Sequence, residues 1–136
     1  MEKIRFSSVI VICLCSLLLV CFAGNATAAW VKLSENEIGD IFYYDTATVV
    51  KTDTRTIWIL INYGSPDKSR PQEIQSAKYL MQANCSDRST RELMSFSYSR
   101  LNGEGKPVVS SESGGKWQAV QRNSPEEDFY KFLCKR

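Results

Sequence analysis

The sequence predicts an α+β domain that is mostly β, with one helix at its C-terminal end. Three observations support this fold class. Short apolar runs alternate with turn residues through residues 30–121, as is typical of a chain of β-strands. The segment Ser76–Cys85 alternates apolar and polar residues with a period of two. Only the segment that begins at Ser124 combines the signals of a helix start with helical periodicity.

Residues 1–28 have the three parts of a secretory signal peptide. The start MEKIRFSS is basic, Val9–Ala23 is apolar, and an A-x-A site ends at Ala28. The apolar run is shorter than the ~20 residues that a spanning helix needs, which favours cleavage over an uncleaved membrane anchor. Three cysteines lie in this run, but each follows a large apolar residue, which argues against a lipid-attachment site. We therefore expect export through a Sec-type signal, to the periplasm or the cell surface.

The segment 29–136 is long enough for one domain. Removing residues 1–28 takes two of the 17 basic and one of the 15 acidic residues, so the remaining chain is nearly neutral. It has no block of like charge, which argues against nucleic acid as a partner and against a membrane-binding polybasic segment. No stable membrane span is expected after cleavage.

The predicted strands follow one another along this segment. In order they are AWVKL (29–33), DIFYYD (40–45), a short TATVV (46–50), TIWILINY (56–63), SAKYLMQANC (76–85), ELMSFSYS (92–99), KPVVSSE (106–112) and KWQAV (116–120). TIWILINY is β-branched and apolar on both faces, which predicts a central strand covered on both sides. The last two runs are predicted to pair with each other across Ser113–Gly115. The polar segment Gly64–Gln75 is predicted to be a long surface loop.

Alternation gives two of these strands defined faces. In SAKYLMQANC the apolar residues and Cys85 share one face, so Cys85 is predicted to point toward the core. In ELMSFSYS one face carries Met94, Phe96 and Tyr98, and the opposite face carries serines.

The helix is predicted from its start signals and its periodicity. Ser124 is an N-cap residue, Pro125 suits the first helical position, and Glu127 completes a capping box. At ~100° per residue, the aromatic residues, Leu133 and Cys134 form one apolar arc, so the helix must lie on an apolar surface.

Cys85 and Cys134 are the two cysteines that remain after signal cleavage. An even number of cysteines in an exported domain indicates a disulfide. Both are predicted to face the core, one from a strand and one from the helix. A bond between them would attach the helix to the sheet, whereas a redox pair would be expected to have C-x-x-C spacing.

The sequence contains no signature of catalysis. The chain has no histidine, which excludes Ser-His-Asp and Cys-His catalysis and histidine-bearing zinc or haem sites. No catalytic residue, metal site or cofactor is predicted. The acidic cluster Glu126–Asp128 is interpreted as helix capping. An exported enzyme is a third alternative, but its general base would have to be a carboxylate, a lysine or a tyrosine.

Aromatic residues are numerous for a domain of this size, with three tryptophans and six tyrosines. Most of these rings are expected in the core. One or two at an exposed sheet face would form a recognition surface, but the sequence does not indicate which.

The ordered pattern resembles the bacterial surface-adhesin protein E family. The resemblance rests on S-A-K-Y followed by N-C within 76–85, Tyr98-Ser99, Trp117 with Val120, and the cysteine of the last helix. It covers about Trp30–Cys134. It implies one antiparallel sheet of about six strands, curved into a partial barrel, with the C-terminal helix held on its concave side by the disulfide.

The resemblance also implies a function. It indicates an exported, non-enzymatic, adhesin-like module that binds a protein partner, such as a host matrix or plasma protein. The alternative is a periplasmic structural or envelope-maintenance protein without a host ligand. Candidate binding residues for an acidic partner are Lys68 and Arg70 in the long loop, and Arg100 and Lys106 beside the glycine-containing turn. The oligomeric state is not predicted, although an open sheet edge would allow a dimer.

Overall fold

A computed structural model describes residues 29–65, 70–71, 73–112 and 114–135. The predicted signal peptide, residues 1–28, lies outside the described residues. Eight strands and one α-helix are present in the described ranges: β1 (Trp30–Glu35), β2 (Ile41–Asp45), β3 (Val50–Lys51), β4 (Arg55–Asn62), β5 (Ser76–Asn84), β6 (Ser89–Tyr98), β7 (Val109–Ser111), β8 (Gln118–Ala119) and α1 (Pro125–Cys134).

All eight strands belong to one antiparallel sheet. The main path has the order β1-β2-β4-β5-β6-β7, which agrees with the sheet of about six strands that the family resemblance implies. The two-residue strands β3 and β8 pair with the first residues of β4 and β6 respectively. Within the described residues the sheet is open, with β1 at one edge and β7 at the other. The α+β fold class, mostly β with a C-terminal helix, is confirmed.

The hydrophobic core lies between the sheet and α1. β4 contributes Ile57 and Ile59, and β5 contributes Ala83, all of them buried. The helix contributes Phe129, Tyr130 and Leu133, and Val120 completes the buried cluster. We call this side of the sheet the helix face and the opposite side the outer face. The apolar arc predicted for the helix is the surface that packs here.

The helix begins as its sequence predicts. The hydroxyl of Ser124 accepts a hydrogen bond from the backbone N–H of Glu127 at 3.2 Å, and Pro125 occupies the first turn. The Glu127 carboxylate accepts in turn from the backbone N–H of Asn123 at 3.0 Å. Side-chain oxygens at the start of the helix therefore accept from the backbone N–H groups of Glu127 and Asn123.

The predicted disulfide is present. Cys85, directly after β5, is bonded to Cys134, the last residue of α1, across a sequence separation of 49 residues. The helix is therefore attached to the sheet at its C-terminal end. The guanidinium of Arg55 donates to the backbone carbonyl of Leu133, which fixes the same end of the helix to β4.

Two local predictions were wrong. The runs around β7 and β8 do not pair with each other, because each pairs with a different part of the long strand β6. The run TATVV forms a 3-10 turn at Thr46–Thr48 before the two-residue β3. The Asp45 side chain accepts from the backbone N–H of Ala47 at 2.9 Å, and this local hydrogen bond favours the turn over an extended strand.

Candidate functional site

The outer face of the sheet carries all three tryptophans of the protein. The register places Trp58 opposite Leu80, and Leu80 opposite Met94, on the side away from α1. Trp30 pairs with Asp45, and Trp117 lies beside β8, on the same side. None of the three belongs to the buried core cluster. The expectation that most aromatic rings pack in the core therefore fails for the tryptophans.

Aromatic rings on this face contact one another and two basic side chains, although the Tyr98 ring among them is buried. Trp58 stacks on Phe96, with ring centroids 6.0 Å apart. The Lys78 ammonium lies 5.8 Å from the Trp30 ring and 5.1 Å from the Tyr98 ring. We call this set the outer aromatic face: Trp30, Trp58, Lys78, Arg91, Phe96, Tyr98 and Trp117.

Hydrogen bonds hold the basic side chains of the outer aromatic face in place. Arg91 lies 4.6 Å from the centre of the Trp117 ring and donates to the Gln82 side chain at 2.6 Å. Lys78 donates to the backbone carbonyl of Gly103 at 3.1 Å. Trp117 is nevertheless 39% exposed, so part of this surface is open to solvent.

Sequence alternation alone did not find this surface. It grouped Met94, Phe96 and Tyr98 correctly on one face of β6, but it did not indicate which side of the sheet that face occupies. The register with β5 shows which side of the sheet this face occupies. Phe96 pairs with Lys78, which lies on the side away from α1. The strand therefore turns its serines toward the helix face.

The helix face contains an apolar cleft beside the start of α1, with a volume of about 410 Å³. The residues lining it are Leu33, Phe42, Ile59, Ile61, Tyr79, Met81, Glu92, Ser124, Pro125, Glu126 and Phe129. Apart from two glutamates, Ser124 and the Tyr79 hydroxyl, its walls are apolar. Its size lies in the range of roughly 300–1,000 Å³ that is usual for small-molecule sites.

A tyrosine pair lies next to this cleft. The hydroxyls of Tyr63 and Tyr79 are 3.1 Å apart and share a hydrogen bond. The Arg70 guanidinium lies 3.7 Å from the centre of the Tyr63 ring. Burial, followed by the hydrogen bond with Tyr79, raises the pKa of Tyr63 well above its usual value. The Tyr63 phenol is therefore neutral at physiological pH, and its hydroxyl serves as a hydrogen-bonding group.

The predicted basic residues that the structure describes lie in two loops at one end of the sheet. Arg70 lies between β4 and β5, where it donates to the carbonyl of Ser65 at 2.5 Å. Arg100 and Lys106 are exposed in the segment between β6 and β7. Lys68 lies outside the described residues. The ends of β4 and β6 and the start of β5 meet at this end of the antiparallel sheet, so both loops emerge there.

The described ranges contain no group of three or more His, Cys, Asp or Glu residues that is suited to hold a metal ion. A helix long and apolar enough to span a membrane is also absent from the part of the chain that the structure describes.

Comparisons with known proteins bear on this fold. The sequence profile of a family described as Surface-adhesin protein E matches residues 30–135. In crystal form II, Haemophilus influenzae protein E has 12% sequence identity and a TM-score of 0.57, over 81% of this chain and 90% of that chain. A second H. influenzae protein E structure also has 12% identity, with a TM-score of 0.56 over 81% and 86% of the two chains.

Protein E from non-typeable H. influenzae has 11% identity and a TM-score of 0.54, over 82% of this chain and 78% of that chain. A search of curated protein sequences finds no match. At such low identities the structural likeness shows the fold alone, whereas the family match spans nearly all of the described domain. The chain belongs to the Surface-adhesin protein E family and is an adhesin-like surface protein.

Proposed function

We propose that the protein is an exported, non-enzymatic binding module that contacts a protein partner, such as a host matrix or plasma protein, through its outer aromatic face. The observation that carries this proposal is the position of the tryptophans. Trp30, Trp58 and Trp117 are distributed over one face of the sheet, and none of them lies in the core.

The composition of the outer aromatic face supports protein binding. Tryptophan, tyrosine and arginine are the residues that most often dominate the binding energy of protein interfaces. Each ring offers a large apolar area with little conformational entropy to lose on binding. The hydrogen bonds of Arg91 and Lys78 already hold these cations against the rings before a partner arrives. The surface is therefore partly preorganised, which lowers the entropic cost of association.

The loop residues Lys68, Arg70, Arg100 and Lys106 are retained in the proposal as contacts for an acidic part of the partner. Arg100 and Lys106 are exposed, so their charges face solvent. Charges at the rim of an interface mainly raise the association rate, and their effect weakens as salt increases. We therefore assign affinity to the outer aromatic face and electrostatic steering to the loops.

A binding assay with matched variants tests the proposal. The purified protein and its Trp58→Ala and Trp117→Ala variants are titrated against immobilised extracellular-matrix and plasma proteins. Loss of an interface hot spot costs ~2 kcal/mol or more, which corresponds to at least roughly 30-fold weaker binding. The control is Val31→Ala. Val31 is 41% exposed, much like Trp117 at 39%, but it lies on the helix face, outside the proposed binding surface.

Loss of binding in the tryptophan variants but not in Val31→Ala supports the proposal, provided that circular dichroism shows unchanged folding. Equal binding by all variants contradicts a role for the outer aromatic face. Protease treatment of intact cells tests surface exposure separately. If the protein is protected from protease and binds no partner in the panel, the alternative of a periplasmic envelope protein is favoured.

A further inference from the structure

The apolar cleft on the helix face contains a carboxylate where the strand pattern would place a leucine. A regular pairing of β5 with β6 would put Leu93 opposite Met81, since Leu80 pairs with Met94. A β-bulge intervenes, and Met81 pairs with Glu92 instead. Bulges commonly redirect a side chain next to a functional site. Here the bulge brings Glu92 into the lining of the cleft.

A second carboxylate reaches the cleft from the first turn of α1. Glu126 lines the cleft, and one of its oxygens accepts a hydrogen bond from the hydroxyl of Thr90. Thr90 is buried on β6, so this bond fixes the position of the Glu126 carboxylate. Glu92 and Glu126 thus both line this cleft, whose remaining walls are apolar except for Ser124 and the Tyr79 hydroxyl.

Neither carboxylate forms an ion pair with a described residue. Two basic residues, Arg91 and Lys116, line a neighbouring pocket together with Glu92 and Glu126. Arg91 is turned to the outer face, where it contacts Trp117. A carboxylate beside apolar groups is stabilised by an opposite charge. The cleft therefore combines apolar walls with two carboxylates that have no basic side chain of the described residues within the 4.0 Å of an ion pair.

We propose that this cleft binds a small cationic amphiphile, a compound in which an apolar chain or ring ends in an ammonium group. The apolar part lies between the sheet and Phe129, and the ammonium group lies beside Glu92 and Glu126. This site is on the face opposite the outer aromatic face, so the inference does not depend on the proposed function.

The start of a helix usually attracts anions, but this one does not favour an anionic amphiphile. Glu126, Glu127 and Asp128 all lie in the first turn and offset the positive end of the helix dipole. The Ser124 hydroxyl already accepts from the backbone N–H of Glu127. Charge complementarity at this end of the cleft therefore selects a cation.

Two methionines allow binding to be located by NMR. Met81 lines the cleft, whereas Met94 pairs with Leu80 on the outer face. The purified, disulfide-bonded protein is labelled at its methionine methyl groups, and signals are assigned with Met81→Leu and Met94→Leu. Octylammonium chloride, octanol and sodium octanoate are then titrated. We expect octylammonium to shift the Met81 signal and not the Met94 signal, with weaker binding of octanol and weakest binding of octanoate.

Charge-removing variants complete the test. Glu92→Gln and Glu126→Gln each keep the side-chain shape and are expected to weaken octylammonium binding about fivefold, with octanol binding unchanged. Glu104→Gln, at an exposed position after β6, is the control. If Glu126→Gln disturbs folding, Glu92→Gln alone decides. The proposal is overturned if octanoate binds as tightly as octylammonium, if Met94 responds instead of Met81, if no ligand shifts Met81, or if Glu92→Gln has no effect.

Discussion

The ionised side chain of Glu127 helps to hold α1 in place. Its carboxylate, 9% exposed, accepts from the backbone N–H of Asn123 and pairs with Lys131 at 3.1 Å and with Arg88. The hydrogen bond from Asn123, followed by those from Lys131 and Arg88, lowers the pKa of Glu127 from 4.5 to about 2. The folded state therefore favours the ionised form.

This pKa shift predicts a pH dependence of stability. A depressed folded-state pKa stabilises the protein above the unfolded-state value, and the stabilisation is lost as pH falls from about 4.5 toward 2. We expect Glu127→Gln to lower the melting temperature at pH 7, and we expect the difference from the unmodified protein to shrink across that acidic window. Thermal melts followed by circular dichroism at a series of pH values measure this. A difference that stayed constant down to low pH would contradict the assignment.

At the residue scale, alternation predicted some side-chain directions and missed others. It placed Cys85 toward the core correctly, because the apolar residues of β5 pack against the helix. It did not reveal the direction of Glu92. The pattern of the strand contains no sign of the bulge, which arises from the pairing of two strands and reverses the faces of the residues before it.

Among the elements, α1 depends on its cap and on its disulfide. The Ser124 hydroxyl accepts from Glu127 N–H and donates to the carbonyl of Gln121 at 2.9 Å. We expect Ser124→Ala to destabilise the protein by ~1 kcal/mol, since the cap hydrogen bond is lost. Urea unfolding measures this change, with Ser110→Ala on the exposed strand β7 as the control. Equal midpoints for both variants would show that the cap contributes nothing.

The disulfide closes a long loop between the sheet and the end of the helix. For a separation of 49 residues, the chain-entropy account gives roughly 4 kcal/mol of stabilisation. We expect Cys85→Ser combined with Cys134→Ser to lower the melting temperature by roughly 15 °C or more. Calorimetry measures the change. Two free thiols in mass spectra of the non-reduced protein would contradict the bond itself.

The prediction of the helix succeeded because its signals are consecutive residues. The prediction of the partner of β7 failed because strand pairing depends on residues far apart in the sequence. The helix start is specified by consecutive residues from Ser124 to Glu127, and the structure shows the corresponding hydrogen bonds. The partner of β7 is not specified in this way. A short loop rich in serine and glycine suggested a hairpin, but β6 is ten residues long and offers separate pairing sites to β7 and β8.

At the scale of the whole molecule, the helix-packed core and the tryptophans lie on opposite faces of the sheet. The helix face holds the cluster packed against α1 and the disulfide, and the outer face holds the tryptophans, of which Trp117 is 39% exposed. The sequence predicted the core elements through their periodicity. The sequence could not predict this division, because the division follows from the register of four strands that are distant in sequence.

This arrangement predicts an order of local stability across the sheet. β4 and β5 are paired on both sides and contain Ile57, Ala77 and Ala83, each with 0% exposure. β7 is an exposed edge strand, from Val109 to Ser111, and no described strand pairs with its other side. Amide groups in central, buried strands exchange only when the domain unfolds globally, whereas edge amides exchange through local opening.

We therefore expect hydrogen exchange to be slowest at Ile57 and Ala83 and fastest, among the strands, in β7. Reduction of the Cys85–Cys134 bond should accelerate exchange in α1 more than in the middle of β5, because the helix loses its covalent attachment while the ladder of the sheet stays intact. Exchange followed by mass spectrometry, with and without reductant, measures both effects. Equal acceleration in helix and sheet would mean that they unfold as one cooperative unit, and that the disulfide stabilises the whole domain instead of holding the helix.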